Sequence, residues 1–256
     1  MSLRKYEVGS KQYEFYKKMY ENQTLNFVLR MKQKYSELNN IKIPINKAFE
    51  FLDSYIDPSD PDLEQPNSLH AYQTAERIRK KYPDDKEYQL IGLIHDFGKI
   101  LFTFGEPDYA VVGDTFVVGC KIPETIVCYE ATRNHPDYDN TVLGIYKRFC
   151  GLDELHLSFG HDEYLYQVLK QNQDKHKISR KYWDIIRYHS FYPWHEKNSY
   201  SYLMDNYEDL EKYRLIKEFN DFDLYSKEDK EFKLTDEIKK YYADLMLEYF
   251  TSELQW

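Results

Sequence analysis

The sequence is poor in residues that interrupt regular structure or cross-link a chain. Its 256 residues include nine glycines, nine prolines and three cysteines. So few glycines and prolines argue against repeated short strands joined by tight turns. Three cysteines (Cys120, Cys128 and Cys150) cannot all pair within one chain, and the sequence does not open with a secretory pattern. We therefore expect free thiols and a cytoplasmic protein.

Long apolar runs and positive charge are also missing. No stretch approaches the roughly 18–20 apolar residues of a membrane-spanning helix. The formal net charge is -9, which argues against a nucleic-acid or anionic-membrane partner but allows a small polar substrate at a local cationic site. A chain of this length can bury a sizeable core. We expect one domain over residues 1–256, and a monomer by default.

Helical periodicity dominates the pattern of apolar residues. Asn67 or Ser68 can cap one helix, and Asp84 or Asp85 can start the next, which is apolar nearly all round. Gly98 follows that helix and is expected to end it in the left-handed conformation. The predicted helices cover about 10–37, 45–55, 67–81, 84–97, 161–172, 179–191, 208–220 and 235–250.

The middle of the chain is different. Residues 101–150 are punctuated by glycine and proline, and 110–112 and 116–118 have the composition of short strands. A long irregular stretch inside a compact domain is often functional. The fold class is therefore predicted to be all-α, with a loop-rich central excursion that includes a short β-hairpin.

Four of the eight histidines lie in or beside helical segments: His70, His95, His161 and His189. Asp96 follows His95 at the end of the apolar helix, where the negative end of the helix dipole favours a bound cation. Four imidazoles on four helices, with a carboxylate beside one, are what a polynuclear metal site in a helical bundle requires. These donors suit iron, manganese or zinc, and the pattern leaves the three metals open.

Each of these residues also has an ordinary structural interpretation. Asp96 alone is typical of a solvated helix end, and His70 and His189 alone are typical of hydrogen-bonded core histidines. Asp162 and Glu163, which follow His161, are typical of a solvated first helical turn. The set of residues therefore carries more weight than any one of them.

Seven separate motifs follow one another along the chain. They are DPSDPD at 57–62, PNSLHAYQTAE at 66–76, GLIHDFGK at 92–99, GEPDYAVVGDTF at 105–116, SFGHDEY at 158–164, RYHSFYPWH at 187–195 and EFNDFDLY at 218–225. In sequence and in order, these motifs resemble the inositol oxygenase family of the HD-domain superfamily. The resemblance covers roughly residues 20–256, is loose over the first 20, and implies an HD-domain-like helical bundle.

The resemblance implies a cofactor of two iron ions in the mixed-valent Fe(II)/Fe(III) state, with O2 as co-substrate. The implied ligands of one iron are His70, His95, Asp96 and Asp223. Those of the other are His161, His189 and Asp96, which bridges the two ions. The position of Asp223 alone indicates only an acid near a helix end.

The resemblance also implies a site for myo-inositol, whose ring would be cleaved to D-glucuronate and water in the first step of inositol catabolism. Lys99 and Asp96 are the implied catalytic residues, and a cation such as Lys99 lowers the cost of a substrate alkoxide. Arg4 is the nearest candidate for an arginine that contacts substrate near the N-terminus. The implied substrate-binding residues are Arg4, Asp57, Pro58, Ser59, Lys99, Gly113, Asp114, His189 and Ser190.

Two other functions are weighed against this one. An HD-type metal-dependent phosphohydrolase would use His95 and Asp96 to activate water, but it needs a basic cluster for phosphate. Near the motifs the sequence has Lys99, Arg77 and Arg187 but no dense basic patch. A helical binding module without catalysis would have to lose activity elsewhere, because all six expected ligands are present.

Overall fold

The computed structural model describes residues 5–59, 66–205, 207–226 and 232–256. The α-helices are α1 Lys11–Asn22, α2 Leu25–Lys34, α3 Ile45–Phe51, α4 Asn67–Lys81, α5 Lys86–Ile94, α6 His161–Gln171, α7 Arg180–Tyr188, α8 Tyr192–His195, α9 Glu208–Ser226 and α10 Asp236–Tyr249. The strands are β1 Lys42–Ile43 and β2 Leu254–Gln255. Short 3₁₀ helices cover Leu52–Ser54, Phe97–Phe104, Asp108–Ala110, Tyr129–Thr132 and Leu152–Glu154. The prediction of an all-α protein is confirmed.

The first predicted helix is two helices, because the chain breaks between α1 and α2. The Thr24 hydroxyl accepts from the backbone N–H of Phe27 and caps α2. The fully buried Gln23 side chain donates to the carbonyls of Tyr109 and Phe159, each at 2.6 Å, and accepts from the Phe159 N–H. The break thus lets one glutamine satisfy three backbone groups of the central excursion.

Helices α4 and α5 pack together through Gly92. A Cβ atom on Gly92 would lie 2.7 Å from Cδ1 of Ile78 and 3.0 Å from Cα of Ala75. Because glycine has no Cβ, the backbones of the two helices can approach closely at this contact. Helix α5 begins as expected, with the Asp85 carboxylate accepting from the N–H of Tyr88. Helix α4 begins at Asn67 without a side-chain cap, since the Asn67 amide instead donates to carbonyls of the preceding segment.

The prediction for Gly98 is wrong in its mechanism. Helix α5 ends at Ile94, and Gly98 lies inside the following 3₁₀ helix without a left-handed backbone. A Cβ atom on Gly98 would lie 2.0 Å from the carbonyl oxygen of His161. The glycine is required by this close backbone approach, which joins the 3₁₀ helix to the start of α6.

The predicted hairpin is absent from the described ranges. Residues 108–110 form a 3₁₀ turn, and Val117 makes only an isolated antiparallel bridge with Leu157. The two strands come instead from distant parts of the chain, because β1 pairs antiparallel with β2. The buried Trp256 side chain follows β2, and its indole N–H donates to the carbonyl of Ile43.

Buried apolar side chains from the helices and the excursion form one hydrophobic cluster, rich in tyrosine and phenylalanine. The three cysteines are free, as expected. Within the described residues, no helix is both long enough and apolar enough to cross a membrane. The interpretation of residues 1–256 as one domain stays a prediction.

Candidate metal centre

Three histidine rings are aimed into the core by hydrogen bonds from Nδ1 to backbone carbonyls. His95 and His189 occupy the C-terminal caps of α5 and α7. Nδ1 of His95 donates to the Gly92 carbonyl at 2.8 Å, and Nδ1 of His189 donates to that of Ile186 at 2.9 Å. His161 opens α6, and its Nδ1 donates to the Val111 carbonyl at 2.8 Å. Because a carbonyl can only accept, each neutral ring has an unprotonated Nε2 that is available as a ligand.

The Asp96 carboxylate lies between these rings. Its Oδ1 is 3.1 Å from Nε2 of His161 and 3.7 Å from Nε2 of His189. Its Oδ2 is 3.7 Å from Nε2 of His95 and 2.9 Å from Nζ of Lys99. The side chain is buried, which excludes the ordinary interpretation of Asp96 as a solvated helix end. The two oxygens face different histidines, as a bridging carboxylate would require.

A second carboxylate reaches the centre from α9. Oδ1 of Asp223 is 2.8 Å from Nε2 of His70 and 3.4 Å from Nε2 of His95. Asp223 is buried although it lies on a helix with many charged residues. The structure therefore brings together all six residues that the resemblance implied as ligands.

The donor atoms form two groups that could hold a metal ion, namely His70, His95 and Asp96, and Asp96, His161 and His189. Within each group the donor atoms lie within 4.8 Å of one another. Nε2 of His161 and Nε2 of His189 are 3.1 Å apart. At this separation one proton can be shared between the two Nε2 atoms, and a metal ion that binds both rings would take its place. Imidazole and carboxylate donors in this arrangement fit a divalent transition metal.

The electrostatics of the centre also favour bound cations. Burial alone would raise the pKa of Asp96, but Lys99 and His95 outweigh it and hold the pKa well below the usual value. Burial opposes ionisation of Asp223 too, and hydrogen bonds from His70 and His95 again lower its pKa. Two carboxylates are thus kept ionised inside the core. Without a metal ion, protons on the histidines balance the negative charge of the two carboxylates. A bound metal ion would displace those protons.

Lys99 connects the centre to the predicted substrate residues. Its buried Nζ is 2.9 Å from Oδ2 of Asp96 and 3.1 Å from Oδ2 of Asp57. The other oxygen of Asp57 accepts from both the N–H and the hydroxyl of Ser59, in the turn that contains Pro58. These neighbouring carboxylates outweigh burial and raise the pKa of Lys99, so the amine stays charged.

Three more predicted substrate residues lie along the excursion and after α7. Asp114 is buried, and Oδ1 accepts from the Tyr16 hydroxyl at 2.8 Å. Ser190 is buried directly after His189, and its carbonyl accepts from the N–H of Thr115. Gly113 has φ +107, and a Cβ there would lie 2.6 Å from the sulfur of a methionine on α1. The prediction for Arg4 lies outside the described residues.

The predicted solvated first turn of α6 is wrong. Asp162 and Glu163 are each 2% exposed. Oδ2 of Asp162 accepts from the hydroxyl of Thr115 at 3.0 Å. Glu163 accepts from Nε of the buried Arg187 at 3.0 Å. Sequence patterns missed these residues because their partners lie on other elements, and no local spacing signals the pairs.

The fold and the centre together define a class: an all-α protein with a buried histidine–carboxylate site suited to metal ions. The sequence profile of the Myo-inositol oxygenase family matches residues 10–256. The chain belongs to this family.

Curated relatives agree with the match. The chain is 46% identical to inositol oxygenase 1 of Arabidopsis thaliana over 95% of this chain and 79% of the relative. It is 44% identical to the inositol oxygenase of Danio rerio, over 94% of this chain and 87% of that protein. It is 41% identical to the human inositol oxygenase, over 100% of this chain and 91% of the human one.

Proposed function

We propose that this protein is a di-iron oxygenase that cleaves the ring of myo-inositol with O2 to give D-glucuronate and water. The atoms of inositol and O2 together equal those of glucuronic acid and water, and the substrate gives up four electrons. The observation that carries the proposal is the buried Asp96 carboxylate, which has imidazoles on both sides and Lys99 on one oxygen. The family membership supports the substrate.

We propose His70, His95, Asp96 and Asp223 as ligands of one ion. We propose Asp96, His161 and His189 as ligands of the second. The Nδ1 hydrogen bonds to backbone carbonyls hold three of the rings in the orientation and tautomer that a ligand needs. A mixed-valent iron pair supplies the redox capacity that a four-electron cleavage requires and that zinc lacks.

Lys99 is proposed to act on a substrate hydroxyl. Its ammonium lies between Asp96 and Asp57, so a hydroxyl placed beside the centre would meet a fixed positive charge. That charge lowers the cost of losing the hydroxyl proton, because a nearby cation favours the ionised form. The carboxylates keep the amine charged, so Lys99 donates hydrogen bonds and does not remove the proton itself.

The remaining polar residues are proposed to hold the ring. Asp57, Ser59, Asp114 and Ser190 offer acceptors and donors for neighbouring hydroxyls of a cyclitol. Two of them are already fixed by other side chains, Asp57 by Lys99 and Asp114 by Tyr16. Fixed partners of this kind discriminate between hydroxyl patterns, because a missing hydroxyl leaves a buried polar group unpaired.

A phosphohydrolase is less well supported, because the cations near the centre are already paired. Lys99 contacts two carboxylates, and Arg187 contacts Glu163 and Asp153. Neither is available for a phosphate without leaving a carboxylate unpaired. Cytoplasmic location and the monomeric state stay predictions.

The proposal is tested by reconstituting the protein with Fe(II) without oxygen, adding myo-inositol, admitting O2 and identifying the product. We expect inositol-dependent O2 consumption and glucuronate in equal amounts. A matched variant, Lys99→Met, should retain iron while kcat and kcat/KM fall by about 10²-fold or more.

Two results would count against the proposal. Phosphate release from nucleotides by the Mn(II)-loaded protein, without O2 consumption, would favour the hydrolase. Full activity of Lys99→Met would remove the proposed role of the lysine.

A further inference from the structure

We propose that Asp162 is a positioning residue that strengthens His161 as a metal ligand, and that it thereby sets the affinity of one half of the centre. The inference rests on the proposed function, because it assumes two ions. It concerns the carboxylate behind the histidine ring, on the side away from Asp96.

The geometry places the Asp162 carboxylate against the ring nitrogen that does not face the centre. Oδ1 of Asp162 is 3.3 Å from Nδ1 of His161, and the side chain is 2% exposed. The Nδ1–H itself donates to the Val111 carbonyl at 2.8 Å, and the carboxylate lies beside that hydrogen bond without accepting it. A negative charge beside this N–H stabilises positive charge on the ring and makes Nε2 a more basic ligand.

The other two rings differ on this point. Nδ1 of His95 and Nδ1 of His189 donate to the carbonyls of Gly92 and Ile186 three residues earlier. Neither shows a carboxylate near Nδ1 among the contacts of the described residues. In the part of the chain that the structure describes, the half of the centre formed by His161 and His189 has no counterpart of Asp223. A negative charge behind one of its rings compensates in part for that difference.

Thr115 fixes the orientation of the carboxylate. Its hydroxyl donates to Oδ2 of Asp162 at 3.0 Å, which leaves Oδ1 as the oxygen nearer to Nδ1 of His161, at 3.3 Å. The Thr115 N–H donates to the carbonyl of Ser190 at 2.9 Å. The residue thus also connects the excursion to the segment that follows His189, so ring orientation on both elements is coupled.

The alternative is that Asp162 only stabilises the first turn of α6 through the helix dipole. Such acids usually face water and contribute about 0.3–1 kcal/mol. Asp162 is buried and directed at a ring. The two roles make different predictions, because the dipole acts on the metal-free fold whereas the ligand effect acts on one ion.

The experiment measures release of Fe(II) from the reconstituted, oxygen-free protein to an excess of a coloured chelator. It compares the parent, Asp162→Asn and the matched control Asp184→Asn, and the metal-free proteins are melted alongside. We expect release in two phases, with one phase faster by about 10- to 100-fold in Asp162→Asn and the other unchanged. Thr115→Val should have a smaller effect on the same phase, and Asp184→Asn none.

Crystals of Asp162→Asn protein taken after the fast phase identify the half that is lost. Anomalous scattering should show the retained iron beside Asp223. A retained iron beside His189, equal acceleration of both phases, or release at the parent rate would overturn the inference while leaving the proposed function intact. A parent protein that binds no iron would end both proposals.

Discussion

The two halves of the centre share Asp96 but are built differently. On one side the Asp223 carboxylate lies between two imidazoles, 2.8 Å from His70 and 3.4 Å from His95. On the other side two imidazoles face each other at 3.1 Å. At their junction, Oδ2 of the shared Asp96 lies 2.9 Å from Nζ of Lys99.

On the proposed function, this difference would let the protein hold two like ions in unlike roles. The half with its own carboxylate would offer four protein ligands, and the other half would offer three. An ion bound to the second half would then have more positions open for substrate oxygen. Lys99 contacts the shared Asp96 and also Asp57, and Ser190 follows His189 in the chain, so the predicted substrate residues lie beside the shared carboxylate and the second half.

The largest effect is expected from a substitution of Asp96, the carboxylate that the two halves share. Asp96→Asn keeps the shape of the side chain but loses the bridging charge. Both ions should be retained poorly, and activity should fall by more than the roughly 100-fold that loss of an outer-shell partner costs. Iron content and inositol-dependent O2 uptake measure this. A variant with full iron and activity would show that Asp96 is not the bridge.

Two substitutions should separate the halves. Asp223→Asn should weaken iron only beside His70 and His95, and His189→Gln should weaken iron only beside His161. Each variant should keep one ion tightly and lose the other to dialysis, with activity lost in both. Iron stoichiometry checks this, and anomalous scattering identifies the ion that remains. If either variant loses both ions together, the halves do not bind independently.

A backbone contact joins the segment after Asp96 to the start of α6, which carries His161. Gly98→Ala would place a methyl group 2.0 Å from the carbonyl oxygen of His161. The start of α6 must shift, and we expect the free energy of unfolding to fall by about 3 kcal/mol. Urea unfolding of the metal-free protein measures it. Gly105→Ala is the matched control, since φ is +80 with no atom within 4 Å, and it should cost about 1 kcal/mol.

The smallest effect concerns a carboxyl that belongs to neither half. Burial raises the pKa of Asp184 to about 6. The folded protein therefore keeps this proton at pH values where the unfolded chain has lost it, so stability falls as pH rises from about 4 to about 6. Asp184→Asn should remove this loss and stabilise the protein at pH 7.5 by about 1–2 kcal/mol.

Urea unfolding of the parent and of Asp184→Asn at pH 4 and pH 7.5 checks the sign. The gain should appear at the higher pH and vanish at the lower one. A gain at pH 4 alone would contradict the raised pKa. Iron content should be the same in both proteins. That result would show that the substitution changes the stability of the fold and does not change metal binding.

Local patterns predicted the parts of this structure that depend on local physics. Helices α4, α5, α6, α7 and α10 lie close to the predicted ranges, because apolar periodicity determines them. The short helix α8 was not predicted, and α9 extends beyond its predicted end at residue 220 to Ser226. The pair His95 and Asp96 was recognisable for the same reason. The break at Gln23 was missed, since it depends on carbonyls of Tyr109 and Phe159 that lie far along the chain.

Contacts between residues that are far apart in the chain could not be predicted from local sequence patterns. Asp223 was expected only through the resemblance, because an acid on a charged helix is ordinary until His70 lies 2.8 Å away. Asp162 and Glu163 were read as solvated for the same reason, and their partners Thr115 and Arg187 lie on other elements. Gly98 was predicted to adopt a left-handed conformation, but it is required by a close backbone contact. Both situations call for glycine, so the sequence alone does not distinguish them.

The most direct test of the unlike halves is a crystal structure of the oxygen-free, iron-reconstituted protein with myo-inositol, recorded at the iron absorption edge. We expect two anomalous peaks less than about 4 Å apart on either side of Asp96, with inositol oxygens on the peak beside His161 and His189. A single peak, or inositol bound beside Asp223, would contradict the account.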